Sequence, residues 1–191
     1  MTWRAYRLTF RLLSPLHVGY YKLGNLQRTR HYVPGRNFWA AATARLTRLL
    51  SGHDYEAVGG FVRRHMAFGY FFPAVTEDAP LYPSYDAGGV SYGPPETTLP
   101  AEHFEHLLLS SYAATALDDD RRAATEGSLH EVECLLSLAT SGAPVFLIGH
   151  VFAREDPQFP PSVVTPATYR FVARTADHKE PRLEALSLIH I

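Results

Sequence analysis

The chain of 191 residues has one cysteine, Cys134, and two methionines. A lone cysteine excludes an intrachain disulfide and fits a reducing, cytoplasmic compartment. No apolar run approaches the roughly 20 residues that a membrane-spanning helix needs, so a soluble protein with no membrane partner is expected. No secretory leader is legible, because Arg4, Arg7 and Arg11 interrupt the opening segment. Internal repeats and low-complexity tracts are missing. So are a phosphate-binding glycine loop, a dinucleotide fingerprint, a nucleophile elbow and a cysteine–histidine pair in catalytic context. Of the ten histidines, His103 and His106 stand three apart, but no third ligand accompanies them. No metal and no cofactor are therefore expected.

Net charge is also nearly missing, at −1, yet this conceals a strong polarity. Residues 1–64 hold eleven Lys and Arg against Asp54 and Glu56, whereas residues 65–191 hold seven against seventeen Asp and Glu. Such asymmetry predicts an anionic partner for the basic part. Its densest stretch runs from Arg28 to Arg48. An extended basic segment meets Pro34-Gly35 and then an alanine-rich helix that carries Arg45 and Arg48.

Tyr6, Leu8, Phe10 and Leu12 alternate with Arg7, Thr9 and Arg11, the period of a half-buried strand. Ser14-Pro15 stops it. Val18 to Leu26, with Gly19 and Gly24, is expected to be a loop, and Gln27 to Val33 extended. Asn37 is the expected N-cap of a helix from Phe38 to about Leu50, its apolar face formed by Trp39, Ala42, Leu46 and Leu49 and its end at Ser51-Gly52. Further helices are expected over 55–66, weakened by Gly59-Gly60, and over 100–116. Strands are expected over 68–75, 129–136, 144–152 and 168–174, with a loop or hairpin excursion over 76–100. This order indicates an α+β fold with a mostly antiparallel sheet, and a β-α-β-β-α-β split unit with insertions fits it.

Arg7, Arg11, Lys22, Arg28, Arg30 and Arg36 interleave with Tyr20, Tyr21, His31 and Tyr32. Arginine forks match phosphates and aromatic rings stack on unpaired bases, so these residues are candidates for binding single-stranded RNA. A solvated basic surface, or one that docks acidic protein, is the alternative. His17 and His31 are candidate general acid–base groups for RNA cleavage. Asp118, in Asp118-Asp-Asp120, is a candidate for metal-assisted attack, against its reading as a solvated turn.

Ser14-Pro-Leu-His-Val-Gly19, followed by His31-Tyr-Val-Pro-Gly-Arg36 opening a helix, resembles the N-terminal signature of RAMP-superfamily CRISPR proteins. Ser111-Tyr-Ala-Ala-Thr-Ala-Leu-Asp118 and Ala123-Ala-Thr-Glu-Gly-Ser-Leu-His-Glu-Val-Glu133 resemble its middle segment, and the likeness covers roughly residues 4–155. The resemblance implies a ferredoxin-like, RNA-recognition-type antiparallel sheet, with helices on one face and a long inserted loop around 76–100, in a single domain over 1–185. It also implies a guide-RNA-binding subunit of a type III effector ribonucleoprotein, whose partners are CRISPR guide RNA and other RAMP-type subunits. Phosphate contacts would fall to Arg28, Arg30 and Arg36, with His31 and Tyr32 near bases. An endoribonuclease of the same superfamily and an assembly module without RNA contact are the alternatives. The glycine-rich loop typical near the end of such a domain is missing. Leu186-Ser-Leu-Ile-His-Ile191 is what the codons CTG TCT CTT ATA CAC ATC encode, a mosaic end used in transposon-based sequencing libraries. Residues 186–191 are accordingly expected to be adapter-encoded, with the natural chain continuing.

Overall fold

The computed structural model describes residues 2–49, 54–118, 123–125 and 127–154. The expected strand over 168–174, the Ser51-Gly52 helix end, Asp119 to Arg122, Glu126 and the segment 186–191 lie outside the described residues. In chain order the elements begin with β1 (Trp3–Arg11), β2 (Gly19–Leu23), β3 (Leu26–Thr29), α1 (Gly35–Leu49) and α2 (Tyr55–His65). Next come β4 (Met66–Phe68), β5 (Phe72–Ala74), β6 (Pro83–Asp86), β7 (Gly89–Tyr92), a 3-10 turn (Pro95–Thr97), β8 (Leu99–Pro100) and α3 (Ala101–Leu108). The last are β9 (Leu109–Ala114), β10 (Leu117–Asp118), β11 (Ala123–Ala124), β12 (His130–Leu135) and β13 (Phe146–Arg154). The fold is α+β, with predominantly antiparallel pairing and, among the described residues, three α-helices. No helix among the described residues is long and apolar enough to cross a membrane. The described residues divide into two compact units, 2–10 with 34–49, 54–71 and 148–154, and 11–33 with 72–118, 123–125 and 127–147.

In the first unit, strands run in the order β1-β13-β4, with Val151 opposite Phe68 and Ala153 opposite Met66. The α1–α2 pair is built around Val58, Phe61 and Val62, onto which Trp39, Leu46, Met66 and Phe68 pack. Gly59 was expected to weaken α2. It instead admits α1, because a Cβ there would stand 3.3 Å from both Thr43 and Trp39. Gly35 opens α1 where a side chain would collide with the carbonyls of Phe68 and Gly69, which explains glycine after Pro34. Helix α1 thus starts two residues before the expected cap, and Asn37 lies within its first turn. Its buried face is rotated toward Phe38, Thr43 and Thr47, while Leu49 is exposed. Thr47 satisfies its hydroxyl by donating to the Thr43 carbonyl at 2.8 Å, which lets a polar residue occupy the core side. Helix α2 is capped by Asp54, whose carboxylate accepts from the Ala57 N–H at 2.9 Å.

In the second unit, a sheet of order β2-β3-β12-β9 lies beside α3 and a smaller β6-β7-β8 sheet. The stretch expected as a loop at 18–26 is the hairpin β2–β3, turning at Gly24 with φ 59°. Every residue of β2 is exposed, so no alternation marks it in the sequence. The helix expected over 100–116 stops at Leu108, and the chain continues as β9, paired antiparallel with β12 from Leu109↔Leu135 to Ala114↔His130. Pairing with this largely buried strand overrides the helix preference of Ala113 and Ala114. Strand β12 pairs parallel with β3 on its other side. The excursion at 76–100 holds the β6–β7 hairpin, closed by Asp86↔Gly89.

Candidate nucleic-acid interface

The hairpin β2–β3 and the residues after it carry most of the expected site, within the second unit. Thr29 anchors its base. Its buried hydroxyl accepts the Val18 N–H at 2.8 Å, and its own N–H donates to the Glu133 carboxylate at 2.9 Å. Arg28, on the same strand, reaches that carboxylate at 3.1 Å and Glu105 of α3 at 3.3 Å. Glu133 is only 7% exposed, so its charge requires both partners. Arg28 was expected to contact phosphate, but here it is neutralised by two carboxylates of its own unit.

His31 continues the network. Its Nε2 lies 4.0 Å from Glu105, its Nδ1 is 2.7 Å from the Tyr92 hydroxyl, and its ring rests against Phe104, which itself stacks on Tyr92 at 3.9 Å. Burial lowers the His31 pKa below its ordinary 6.5. Glu105 and Glu133 oppose that shift, and Arg28 adds to it. Burial and Glu105 raise the Tyr92 pKa. The His31 tautomer sets which of the two groups donates in their hydrogen bond. His17 donates its Nδ1–H to the Glu133 carbonyl at 2.6 Å, a bond that fixes the ring against β12.

A different arrangement surrounds Arg30. Its guanidinium lies 4.8 Å from the Tyr20 ring centre and 5.8 Å from that of Tyr32, and its Nη1 donates to the Tyr32 hydroxyl at 3.2 Å. Tyr20 meets Tyr21 edge-on at 4.8 Å. Beyond Tyr32 follow Phe72 at 6.0 Å and then Tyr82 at 4.9 Å. Tyr21, Tyr20, Arg30, Tyr32, Phe72 and Tyr82 thus form one continuous row of ring contacts around a single cation, edge-on at Tyr20–Tyr21 and at Phe72–Tyr82. Its ends are open to solvent, with Tyr21 50% and Tyr82 43% exposed. Cation–π attraction holds the guanidinium among these rings.

Lys22 is exposed on β2, and Arg11 is exposed at the end of β1. Arg7 and Arg36 are exposed in the first unit, on β1 and in the first turn of α1. Asp118 ends the two-residue strand β10, paired with Ala123. Glu133, Glu105, Tyr92, Phe72 and Tyr82 were given no role from the sequence. They come to the site from elements 40 to 105 residues away, and no local pattern announces such partners. The interleaving of basic and aromatic residues between Tyr20 and Arg36 was the signal present, and it marks only the near half of the site.

No protein-family model and no curated protein matches this sequence. Two solved structures are similar at the level of backbone shape. One is a chain in the cryo-EM structure of Type III-B Cmr-beta bound to cognate target RNA and AMPPnP, with a TM-score of 0.48 and 12% identity over 80% of this chain and 55% of that one. The other is a chain in the apo state of Type III-B Cmr-beta, with a TM-score of 0.48 and 8% identity over 91% of this chain and 89% of that one.

Proposed function

We propose that this protein is a non-catalytic, guide-RNA-binding subunit of a type III CRISPR ribonucleoprotein, working beside other RAMP-type subunits in the cytoplasm. On this reading residues 1–185 form one RAMP-type domain of ferredoxin-like ancestry, and the β6–β7 hairpin is its insertion. The row from Tyr21 to Tyr82 is the observation that carries the RNA assignment. Unpaired bases stack on aromatic and guanidinium planes without regard to sequence, and each base stacked is worth about 1–3 kcal/mol. The motifs Ser14-Pro-Leu-His-Val-Gly19 and His31-Tyr-Val-Pro-Gly-Arg36 supply the family. His17 and His31 serve as structural residues in this reading, each held by a hydrogen bond to its own unit.

Ultraviolet crosslinking of the purified chain, alone and with its neighbouring subunits, to single-stranded RNA tests the proposal. Crosslinks are expected at Tyr20, Tyr21, Tyr32 and Tyr82. Absence of any RNA contact in both samples would sink it.

A further inference from the structure

The aromatic row stacks bases, yet its unit is acidic. Among its described residues Arg11, Lys22, Arg28 and Arg30 face nine carboxylates. The other unit has the opposite balance. There the described residues include eight arginines against Asp54 and Glu56. Four of them, Arg45 and Arg48 on α1 and Arg63 and Arg64 on α2, are exposed and belong to none of the described ion pairs.

We infer that the outward side of the α1–α2 pair is a phosphate-backbone surface that holds RNA through Arg45, Arg48, Arg63 and Arg64. The packing sets this geometry. Trp39 and Thr43 of α1 lie against Gly59 of α2, and the apolar sides of both helices close on Val58, Phe61 and Val62. The arginines are left on the sides turned away from that core. Arg45 and Arg48 stand about one turn apart on α1, and Arg63 and Arg64 are adjacent on α2, so each helix offers a pair of guanidinium forks rather than a single cation. The residue type points the same way. The whole chain has two lysines, Lys22 and Lys179, and α1 and α2 have none. Arginine's planar fork matches phosphate oxygens in pairs, whereas lysine is the more strongly hydrated point charge. A helix dipole accounts for basic residues in a last turn, where Arg48, Arg63 and Arg64 sit, but not for Arg45 one turn earlier.

This inference rests on the RNA-binding reading above, and the experiment separates the two. The full chain binds a fluorescein-labelled single-stranded RNA of mixed sequence, followed by anisotropy between about 50 and 200 mM salt. Replacing all four arginines by glutamine is expected to lower the slope of log affinity against log salt by about 3, at about 0.7 per lost single-strand phosphate contact. The matching four-lysine variant is expected to keep most of the slope, and circular dichroism should show both variants folded. Tyr20→Ala is expected to weaken binding with the slope unchanged. If the glutamine variant keeps the wild-type slope while Tyr20→Ala weakens binding, the helical surface is overturned and the aromatic row stands. If the glutamine variant keeps RNA affinity but loses a protein complex in sedimentation, the surface docks protein and the inference is likewise overturned. Absence of wild-type RNA binding overturns both.

Discussion

The two units handle the same side chain in opposite ways. In the first, arginines on α1 and α2 are left in solvent, and among the described residues no carboxylate pairs with Arg45, Arg48, Arg63 or Arg64. In the second, arginine is drawn into the fold. Arg28 is clamped between Glu133 and Glu105, and Arg30 lies between Tyr20 and Tyr32. Arg28 and Arg30 are two positions apart on one extended segment, yet one is an internal ion-pair partner and the other is part of a stacking surface. Positive charge on a strand is therefore not one kind of site. What surrounds it decides whether its charge is taken up by carboxylates or by aromatic rings.

The most forceful way to break this contrast is to remove Arg28. Arg28→Ala leaves the buried Glu133 carboxylate with only the Thr29 N–H, and stranding a buried charge costs about 3–5 kcal/mol. For a chain of this size a loss of about 3 kcal/mol lowers Tm by about 6–12 °C, measurable by thermal unfolding. The double variant Arg28→Met with Glu133→Leu should recover most of that loss, because it removes the charge along with its partner. Arg48→Ala, on the exposed side of α1, is expected to stay within about 0.5 kcal/mol of wild type. Equal losses at Arg28 and Arg48 would erase the distinction between the units.

Next in size is RNA affinity at the aromatic row. Tyr20→Ala removes one ring and the face against which Arg30 rests. A loss of about 1–3 kcal/mol is expected, or about 5- to 150-fold in Kd for single-stranded RNA by anisotropy. Tyr20→Phe keeps the ring and should bind nearly as wild type. Arg28→Lys, tested where the protein remains folded, should alter RNA affinity less than Arg30→Gln does, since Arg28 already spends its charge on Glu133 and Glu105. The reverse order would assign the RNA to the ion-pair network instead.

Much of this contrast is invisible in the sequence, for particular reasons. Strand β1 was legible because Leu8 and Phe10 turn inward between the exposed Arg7 and Arg11. Helix α2 was expected over 55–66 and runs from Tyr55 to His65. Strand β2 was not, because a strand exposed on both faces has no period to detect. The helix expected through Ala116 failed at Leu109, where a partner strand more than 20 residues ahead sets the backbone. For the site, Tyr20, Tyr21, Arg30 and Tyr32 announced themselves by composition. The partners of Arg28 did not: Glu133 and Glu105 look like ordinary solvated acids in their own segments, and only the β3–β12 pairing and α3 bring them to it.

A smaller effect is expected from acid. His31 is neutral in the fold because burial lowers its pKa below the ordinary 6.5, and the groups around it are Tyr92, Glu105, Glu133 and Arg28. The unfolded chain takes up the proton first as pH falls past 6.5, so this contribution to stability is full above that value. It diminishes as pH falls through the lowered folded value. Denaturant unfolding at pH 7 and pH 5 should show a loss for the wild type that is reduced in His31→Phe, which keeps the ring against Phe104. An identical pH dependence in the two proteins would remove His31 from the account.

The finest test compares two histidines, one from each unit. His65, at the end of α2, also has a pKa below 6.5, through burial first and then through the positive charges of Arg154 and Arg64. His31 has burial first too, but its largest charged neighbours are Glu105 and Glu133, which work in the opposite direction. Salt at about 0.1 M screens charges beyond about 10 Å and weakens exposed pairs inside that distance. Adding salt should therefore raise the His65 pKa, as repulsion from the arginines fades. It should lower that of His31, as attraction to the carboxylates fades. Imidazole NMR titrations at low and high salt measure both in one sample. Opposite displacements follow from an open basic unit and an internally paired acidic one. If both histidines move in the same direction, the charge environments of the two units are alike, and the contrast between exposed and paired arginines loses its electrostatic basis.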